Sequence, residues 1–146
     1  MRQEEYQRHE EFAFDYLLKK YRWQIMTTPH YALIDGVAVM GNEITHIIEF
    51  KSRNESLNSL NQFGTYLISY EKIRRGIDMA KMMRVPFILI VYLIKDQKII
   101  GVEIGDDYGI SIPMEIRETR TQKNSHSPES VIRRNAFIDL ENFTIL

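Results

Sequence analysis

The spacing of hydrophobic and polar residues predicts that the chain begins with a helix. Over residues 4–20 the apolar side chains recur at helical intervals, with Tyr6, Phe14, Leu17 and Leu18 on one stripe. The opposite face is charged, as expected of a helix that packs one side against a sheet.

Three strands are expected after this helix. Residues 22–27, 31–40 and 43–51 are short runs rich in apolar and β-branched side chains, and Gly41–Asn42 is a hairpin signal between the last two runs. Because short turns join strands that are so close in sequence, these strands should form an antiparallel meander.

The next segment predicts one long helix followed by two strands. Residues 57–83 carry an apolar stripe at helical spacing, and Pro86 stands where a helix would stop. The apolar run 87–94 predicts a buried strand, which a helical crossover allows to pair in parallel with the earlier sheet. Residues 98–104 predict a further strand. The apolar stripe of the predicted helix 57–83 consists of Tyr66, Tyr70, Ile73, Ile77 and Ala80.

The pattern weakens in the C-terminal third. Residues 119–130 are polar and predict a mobile loop, whereas residues 131–146 are apolar again and predict a final strand or short helix. No linker composition divides the chain. We therefore expect one domain over residues 1–146, with a core at 8–104 and an extension at 105–146.

Composition narrows the class of protein. The 146 residues are 44% hydrophobic and 27% charged, as in ordinary globular proteins, and the absence of cysteine excludes disulfides and thiolate metal sites. The N-terminus is charged, and the longest apolar run, 85–94, is too short for a membrane helix. An intracellular, cytoplasmic location is expected. The four histidines show no ligand spacing, so zinc is not expected.

Asp35 interrupts an apolar row on the second predicted strand. Side chains alternate along a strand, so Asp35 shares a face with Val37, while Glu49 and Lys51 share a face on the third strand. A carboxylate in an apolar row is unfavourable unless it is paired or bound to a cation. An ion pair on a solvated edge would also explain Glu49 and Lys51.

The hairpin register decides whether the two carboxylates meet. A two-residue turn at Gly41–Asn42 would place Asp35 opposite Ile48, whereas a three-residue turn through Glu43 would place it opposite Glu49. We favour the three-residue turn because it also makes sensible same-face pairs. These pairs are Val37 with Ile47 and Val39 with Thr45.

These residues resemble the motif of the PD-(D/E)xK nuclease superfamily, which has the restriction-endonuclease-like α/β fold with helices on a mixed β-sheet. Asp35, Glu49 and Lys51 match its pattern of Asp on the second strand and Glu-x-Lys on the third, although Ile34 replaces the proline. The resemblance covers residues 8–95. It implies a metal-dependent nuclease that hydrolyses phosphodiester bonds in DNA.

The resemblance also implies roles for individual residues. Asp35, Glu49 and the carbonyl of Phe50 would bind Mg²⁺, for which Mn²⁺ would substitute, and Lys51 would assist the attacking water. Members of the superfamily often place a glutamate on the first helix. Glu11 fits best and Glu10 is the competitor.

Further positions are candidates for substrate binding. Gln62 and Tyr66 resemble the Gln-x-x-x-Tyr element of the RecB-like branch, although Tyr66 equally fits the core. Arg53 and Asn54, just after the motif, are placed to contact a DNA backbone, and so is Lys72, unless it lies on a solvated face. Residues 117–123 would form a substrate clamp or a plain loop.

The chain also has a general likeness to the small Holliday junction resolvases, in which a helix and strand support a dimer. This likeness raises the expectation of a homodimer, and the size suits an accessory nuclease of a phage or mobile element. Two other classes stay open: a non-catalytic nucleic-acid-binding module and a protein-interaction domain. The net charge of −1 provides no basic surface over the whole chain and keeps the protein-interaction domain open.

Overall fold

A computed structural model describes residues 3–29, 33–122 and 128–146. In chain order the elements are α1 (Gln3–Tyr21), β1 (Gln24–Thr27), β2 (Gly36–Met40), β3 (Glu43–Arg53), α2 (Leu57–Phe63), β4 (Thr65–Ser69), α3 (Tyr70–Met83), β5 (Phe87–Leu93), β6 (Lys98–Asp106), β7 (Gly109–Ile110), β8 (Glu115–Gln122), β9 (Ser130–Asp139), a 3₁₀ turn (Leu140–Asn142) and β10 (Thr144–Ile145).

The larger sheet has the mixed topology that the sequence predicts. Its strand order is β1-β2-β3-β5-β6-β10, and β7 pairs with β6. The first three strands form an antiparallel meander, and β5 pairs in parallel with β3. Because β5 is buried along its whole length, both faces of the sheet are covered.

The two faces of the sheet pack against different elements. Ile48 and Phe50 of β3 join the apolar cluster that includes Ala13 and Leu17 of α1. Ile47, which alternates with them, joins the cluster that includes the buried side chains of α3. Glu49 lies on the same face as Ile47, beneath α3.

The prediction of one long helix over residues 57–83 is wrong. The structure has α2, then strand β4, then α3. Ser56 caps the start of α2 by accepting a hydrogen bond from Ser59 N–H, and Gly64 ends it in the left-handed conformation at φ 81°. Residues 65–69 alternate exposed and buried positions, as a strand does. The predicted helical pair Gln62 and Tyr66 is therefore divided between α2 and β4.

Strand β4 belongs to a second sheet, of order β4-β9-β8, which the sequence did not predict. Residues 119–122, predicted as part of a loop, lie in β8, and residues 123–127 lie outside the described residues. The predicted final strand or short helix is β9, a 3₁₀ turn and β10. Ala136 and Ile138 of β9 join the core beside Tyr66.

The β2–β3 hairpin reaches the predicted register by a different route. Met40 pairs with Glu43 across a two-residue turn, so the predicted three-residue turn is wrong. A β-bulge follows, in which Val39 pairs with Ile44, and Thr45 is the additional residue of β3. Beyond the bulge, Val37 lies opposite Ile47 as predicted, and Gly36 lies opposite Ile48.

Strand β2 is shorter than the predicted run 31–40. It begins at Gly36, so Asp35 lies in the bend just before the strand and not within it, while residues 30–32 lie outside the described residues. Because the bulge adds one residue to β3, the bend still brings Asp35 to the level of Glu49.

Gly64 provides a test of the break in the predicted helix. We expect Gly64→Ala to lower the free energy of unfolding by about 1 kcal/mol, because alanine is strained at this positive φ although its Cβ meets no neighbouring atom. Urea unfolding measures the change. Asn61→Ala, at an exposed position of α2, is the control and should change stability little. Equal stability of Gly64→Ala and the wild type would contradict this account.

Candidate active site

Beyond the end of β2, one edge of β3 has no strand paired with it, although the other edge still pairs with β5, and two side chains bind the backbone groups of Phe50 at that edge. Phe50 N–H donates to Oδ2 of Asp35 at 2.9 Å, and the hydroxyl of Tyr6 on α1 donates to the Phe50 carbonyl at 3.1 Å. Asp35 is thereby held against β3 beside Glu49, and the two carboxyl side chains contact each other.

The loop that carries Asp35 is fixed where it joins the sheet. Thr28 N–H donates to the Asp35 carbonyl at 2.9 Å, and the Thr28 hydroxyl donates to the Ile34 carbonyl. Gly36 allows β2 to approach β1 closely, because a Cβ at this position would lie 2.7 Å from the Met26 carbonyl oxygen. These contacts set the position of the Asp35 carboxylate.

Glu49 is a buried carboxylate with two cationic partners. The residue is only 4% exposed to solvent. Lys51 Nζ and Lys72 Nζ each lie 2.9 Å from the same oxygen, Oε1. Lys51 comes from the same strand and Lys72 from the first turn of α3, so the packing of α3 on the sheet delivers the second ammonium group.

The two carboxyl groups have opposite pKa shifts. Burial, together with the negative charge of Glu49, raises the pKa of Asp35 to about 6. Burial alone would also raise the pKa of Glu49, but the ammonium groups of Lys51 and Lys72 outweigh it and hold that pKa below its usual value. At neutral pH the site therefore contains two carboxylates in contact.

The two lysines also differ. Burial lowers the pKa of Lys51, and the nearby ammonium group of Lys72 adds to the effect, although Glu49 opposes it. For Lys72 burial acts in the same direction, but the attraction of Glu49 outweighs it and raises the pKa. Lys51 is thus the lysine of the pair that loses its proton more readily.

On α1 the structure brings Glu10, and not Glu11, towards the carboxylates. Glu10 is half-buried, and burial and the charge of Asp35 raise its pKa. Glu10, Asp35 and Tyr6 line a cleft of about 330 Å³ between α1 and the β1–β2 loop. Glu11, favoured by the sequence, is exposed and does not line this cleft.

The predicted substrate-binding residues are divided. Arg53, Tyr66 and Lys72 line a second cleft of about 450 Å³, which Lys51 also lines. The guanidinium of Arg53 lies 5.5 Å from the centre of the Tyr66 ring. Asn54 and Gln62 are exposed and do not line it. Of the suggested clamp, residues 117–122 form β8, and Lys123 lies outside the described residues.

Sequence reasoning missed the contribution of several residues near the site. Tyr6 was assigned only to the apolar stripe of the first helix, and its hydroxyl gave no separate signal. Thr121 and Asn135 lie in segments that were predicted as a loop and a final element, yet both line the second cleft. Asn135, which is buried, offered a signal, because it is a polar residue directly before the apolar run 136–138.

Two absences bear on the site. Within residues 3–29, 33–122 and 128–146, no three His, Cys, Asp or Glu side chains are gathered as a ready-made metal cluster. No helix in the same ranges is long and apolar enough to cross a bilayer.

The mixed sheet with α1 on one face and α3 on the other is the restriction-endonuclease-like fold of the PD-(D/E)xK nucleases, as the sequence predicted. The chain belongs to the family of phage putative PDDEXK endonucleases, whose profile matches residues 4–136. The match extends well beyond residue 95, where the resemblance seen in the sequence stopped.

Among solved structures the chain is similar to Hjc of Archaeoglobus fulgidus, a Holliday junction resolvase from an archaeal hyperthermophile. The TM-score is 0.51 at 15% sequence identity, over 92% of this chain and 85% of that one. This likeness shows the fold. No curated protein matches the chain.

The raised pKa of Asp35 predicts a pH-dependent effect on stability. The pKa of Asp35 is higher in the folded protein than in the unfolded chain, so ionised Asp35 destabilises the fold. The stability that protonated Asp35 contributes is complete below the pKa of the unfolded chain, and it is lost as the pH rises through about 6. Asp35→Asn avoids this loss. Without metal, we expect it to stabilise the protein more at about pH 8 than at about pH 4.5, by on the order of 1 kcal/mol.

Urea unfolding in EDTA at both pH values measures the difference. Asp107→Asn is the matched control, because Asp107 lies on an exposed turn. An Asp35→Asn effect that is the same at both pH values would show that Asp35 is not strained by its charge.

Proposed function

We propose that this protein is a divalent-metal-dependent nuclease that hydrolyses phosphodiester bonds in DNA, with Asp35 and Glu49 binding Mg²⁺ and Lys51 assisting the attacking water. The observation that carries the proposal is the contact between the Asp35 and Glu49 carboxyl groups, with Lys51 2.9 Å from Glu49. Membership of a PDDEXK endonuclease family supports it.

The residues present fit a hard divalent cation. Burial and, after it, the negative charge of Glu49 raise the pKa of Asp35, and a bound cation would stabilise its ionised form against both effects. Mg²⁺ prefers one or two carboxylates, a carbonyl and waters, and Asp35, Glu49 and the Phe50 carbonyl provide such a set. When bound, the cation supplies Lewis-acid activation of water and neutralises phosphate charge, and Mn²⁺ can substitute.

The lysines complete the chemistry. Lys51, whose pKa is lowered by burial, orients the attacking water, and it accepts the proton of that water once it has released its own proton to solvent and become a neutral amine. Lys72, whose pKa is raised, stays charged and donates to phosphate oxygens when substrate lies over the site. In the absence of substrate both ammonium groups balance the buried charge of Glu49.

Glu10 is the acidic residue of α1 that we assign to the site, in place of Glu11. Its carboxylate faces Asp35 across the smaller cleft, where it would hold a water of the cation's outer shell. Glu11 points to solvent and receives no role.

Lys51→Ala tests the catalytic assignment. With Mg²⁺ or Mn²⁺, we expect the wild type to cleave at least one of a panel of labelled single-stranded, duplex and branched DNAs. Lys51→Ala should lower the rate by about 100-fold or more, because a positioned proton acceptor is lost.

Lys98→Ala, an exposed lysine at the start of β6, is the control and should cleave like the wild type. Cleavage that persists in EDTA, or that Lys51→Ala leaves intact, would refute the proposed mechanism. Light scattering on the same samples would test the homodimer, which stays a prediction.

Glu10→Gln and Glu11→Gln form a matched pair on α1. We expect Glu10→Gln to lower Mg²⁺ affinity by roughly tenfold, because outer-shell groups contribute on that scale. Glu11→Gln should bind Mg²⁺ like the wild type. Calorimetric titration without DNA measures both affinities, and the reverse order would restore the assignment made from the sequence.

A further inference from the structure

The second sheet forms one wall of the larger cleft beside the candidate active site. The cleft, about 450 Å³ in volume, begins at Lys51 and Lys72 and extends between the end of β3 and the second sheet. Side chains of β4, β8 and β9 line this wall. They include Tyr66, Ser69, Thr121, Arg133 and Asn135.

Two hydroxyl groups on residues that line this cleft are buried without a hydrogen-bond partner among the described residues. They are Oη of Tyr66, a residue only 3% exposed, and Oγ1 of Thr121. Burial raises the pKa of Tyr66 to about 12, so its hydroxyl keeps its proton and remains a donor. Buried polar groups in native proteins are nearly always satisfied, so these two hydroxyls are available to donate to a bound water or to a ligand that accepts hydrogen bonds.

The charge around the cleft indicates that this ligand is an anion. A second depression, lined by Glu71, Arg75 and Arg134, adjoins the cleft through Ser69, Lys72 and Arg133, which line both. Among the described residues that line the two, six are lysine or arginine and one is acidic. That acid, Glu71, is already paired with Arg74 and Arg134.

The opposite side of the site has the opposite character. The smaller cleft beside Asp35 contains Glu10, and the described residues that line it include neither lysine nor arginine. The clefts on the two sides of Glu49 therefore differ in charge, with carboxylates lining the smaller one and mainly cations lining the larger one and the depression beside it. An extended polyanion placed over the site would avoid the acidic cleft and lie along the basic cleft.

We propose that the larger cleft binds the phosphodiester backbone next to the bond that is cut, with the hydroxyls of Tyr66 and Thr121 donating to phosphate oxygens. The basic side chains of the rim neutralise the neighbouring phosphates. The identity of the anion rests on the proposed nuclease function. The inference gives the C-terminal third a role, because β8 and β9 supply one wall of the cleft.

Binding without cleavage tests the inference. Fluorescence anisotropy in EDTA would follow a labelled DNA duplex, the same sequence as a single strand, and an RNA of that sequence. Tyr66→Phe and Thr121→Val remove only the hydroxyl function, and each should weaken binding roughly five- to tenfold. The controls are Tyr108→Phe, on an exposed turn, and Thr65→Val, an exposed position of β4, and both should bind like the wild type.

Stability separates a binding role from a structural one. Tyr66→Phe removes a buried hydroxyl that has no partner among the described residues, so its melting temperature should equal or exceed that of the wild type while its affinity falls. A structural hydroxyl would lower both. A Tyr66→Phe protein that loses stability in proportion to affinity would overturn the assignment.

The salt dependence of binding tests the basic rim. Arg75→Gln should reduce the slope of log affinity against log salt concentration by about one, because one phosphate contact is lost. Arg8→Gln, on exposed α1, should leave the slope unchanged. Equal slopes for both variants would remove Arg75 from the binding surface.

The outcomes distinguish this inference from the proposed function. If Tyr66→Phe and Thr121→Val bind like the wild type, or if the wild type binds none of the three nucleic acids, the cleft assignment is overturned. If the variants bind weakly but no protein cleaves with Mg²⁺, the cleft assignment stands and the nuclease proposal fails. Lys51-dependent cleavage with unaltered binding by both hydroxyl variants would leave the nuclease proposal alone standing.

Discussion

The burial of the Glu49 carboxylate is the constraint around which the rest of the site is arranged. A charge on a central strand is unfavourable unless it is paired, and breaking such a pair is strongly destabilising. One partner, Lys51, comes from the same strand, and the other, Lys72, comes from α3. The start of α3 is in turn fixed by β4, so the break in the predicted helix delivers the second cation. Asp35 accepts a hydrogen bond from Phe50 N–H, but burial and the charge of Glu49 outweigh this bond and the attraction of Lys51, so its pKa stays raised.

The hairpin shows what a residue pattern can and cannot resolve. The predicted pairing of Val37 with Ile47 is confirmed, but the three-residue turn that justified it does not exist. An additional residue in the turn and a bulge at Thr45 shift the register by the same amount. The alternation of apolar side chains depends only on the total register shift beyond the turn and the bulge. It does not indicate where in the hairpin the additional residue lies. The register near Asp35 could therefore be predicted, whereas the local geometry could not.

The helix predicted over residues 57–83 failed for a different reason. Tyr66 and Tyr70 have helical spacing, but Tyr66 and Ile68 also have strand spacing, and the local sequence fits both. The segment forms a strand because it pairs with Asn135–Asp139, which lies far along the chain. A local pattern contains no information about that partner. The choice between Glu10 and Glu11 could not be made from the sequence for a similar reason. Neighbouring residues on a helix point about 100° apart, so the choice depends on a rotation that only tertiary packing sets.

The second sheet cannot be separated from the candidate site, because it shares the core beneath it. Ala136, Ile138 and Leu140 pack in the same apolar cluster as Ile73 of α3 and Leu89 of β5. The contacts that hold β9 in place thus also hold α3, which carries Lys72. Any movement of the β8–β9 wall that disturbed this cluster would shift the second cation of Glu49 as well. The basic cleft and the buried carboxylate are coupled through packing, and the motif residues alone, which lie within residues 35–51, are insufficient to define the site.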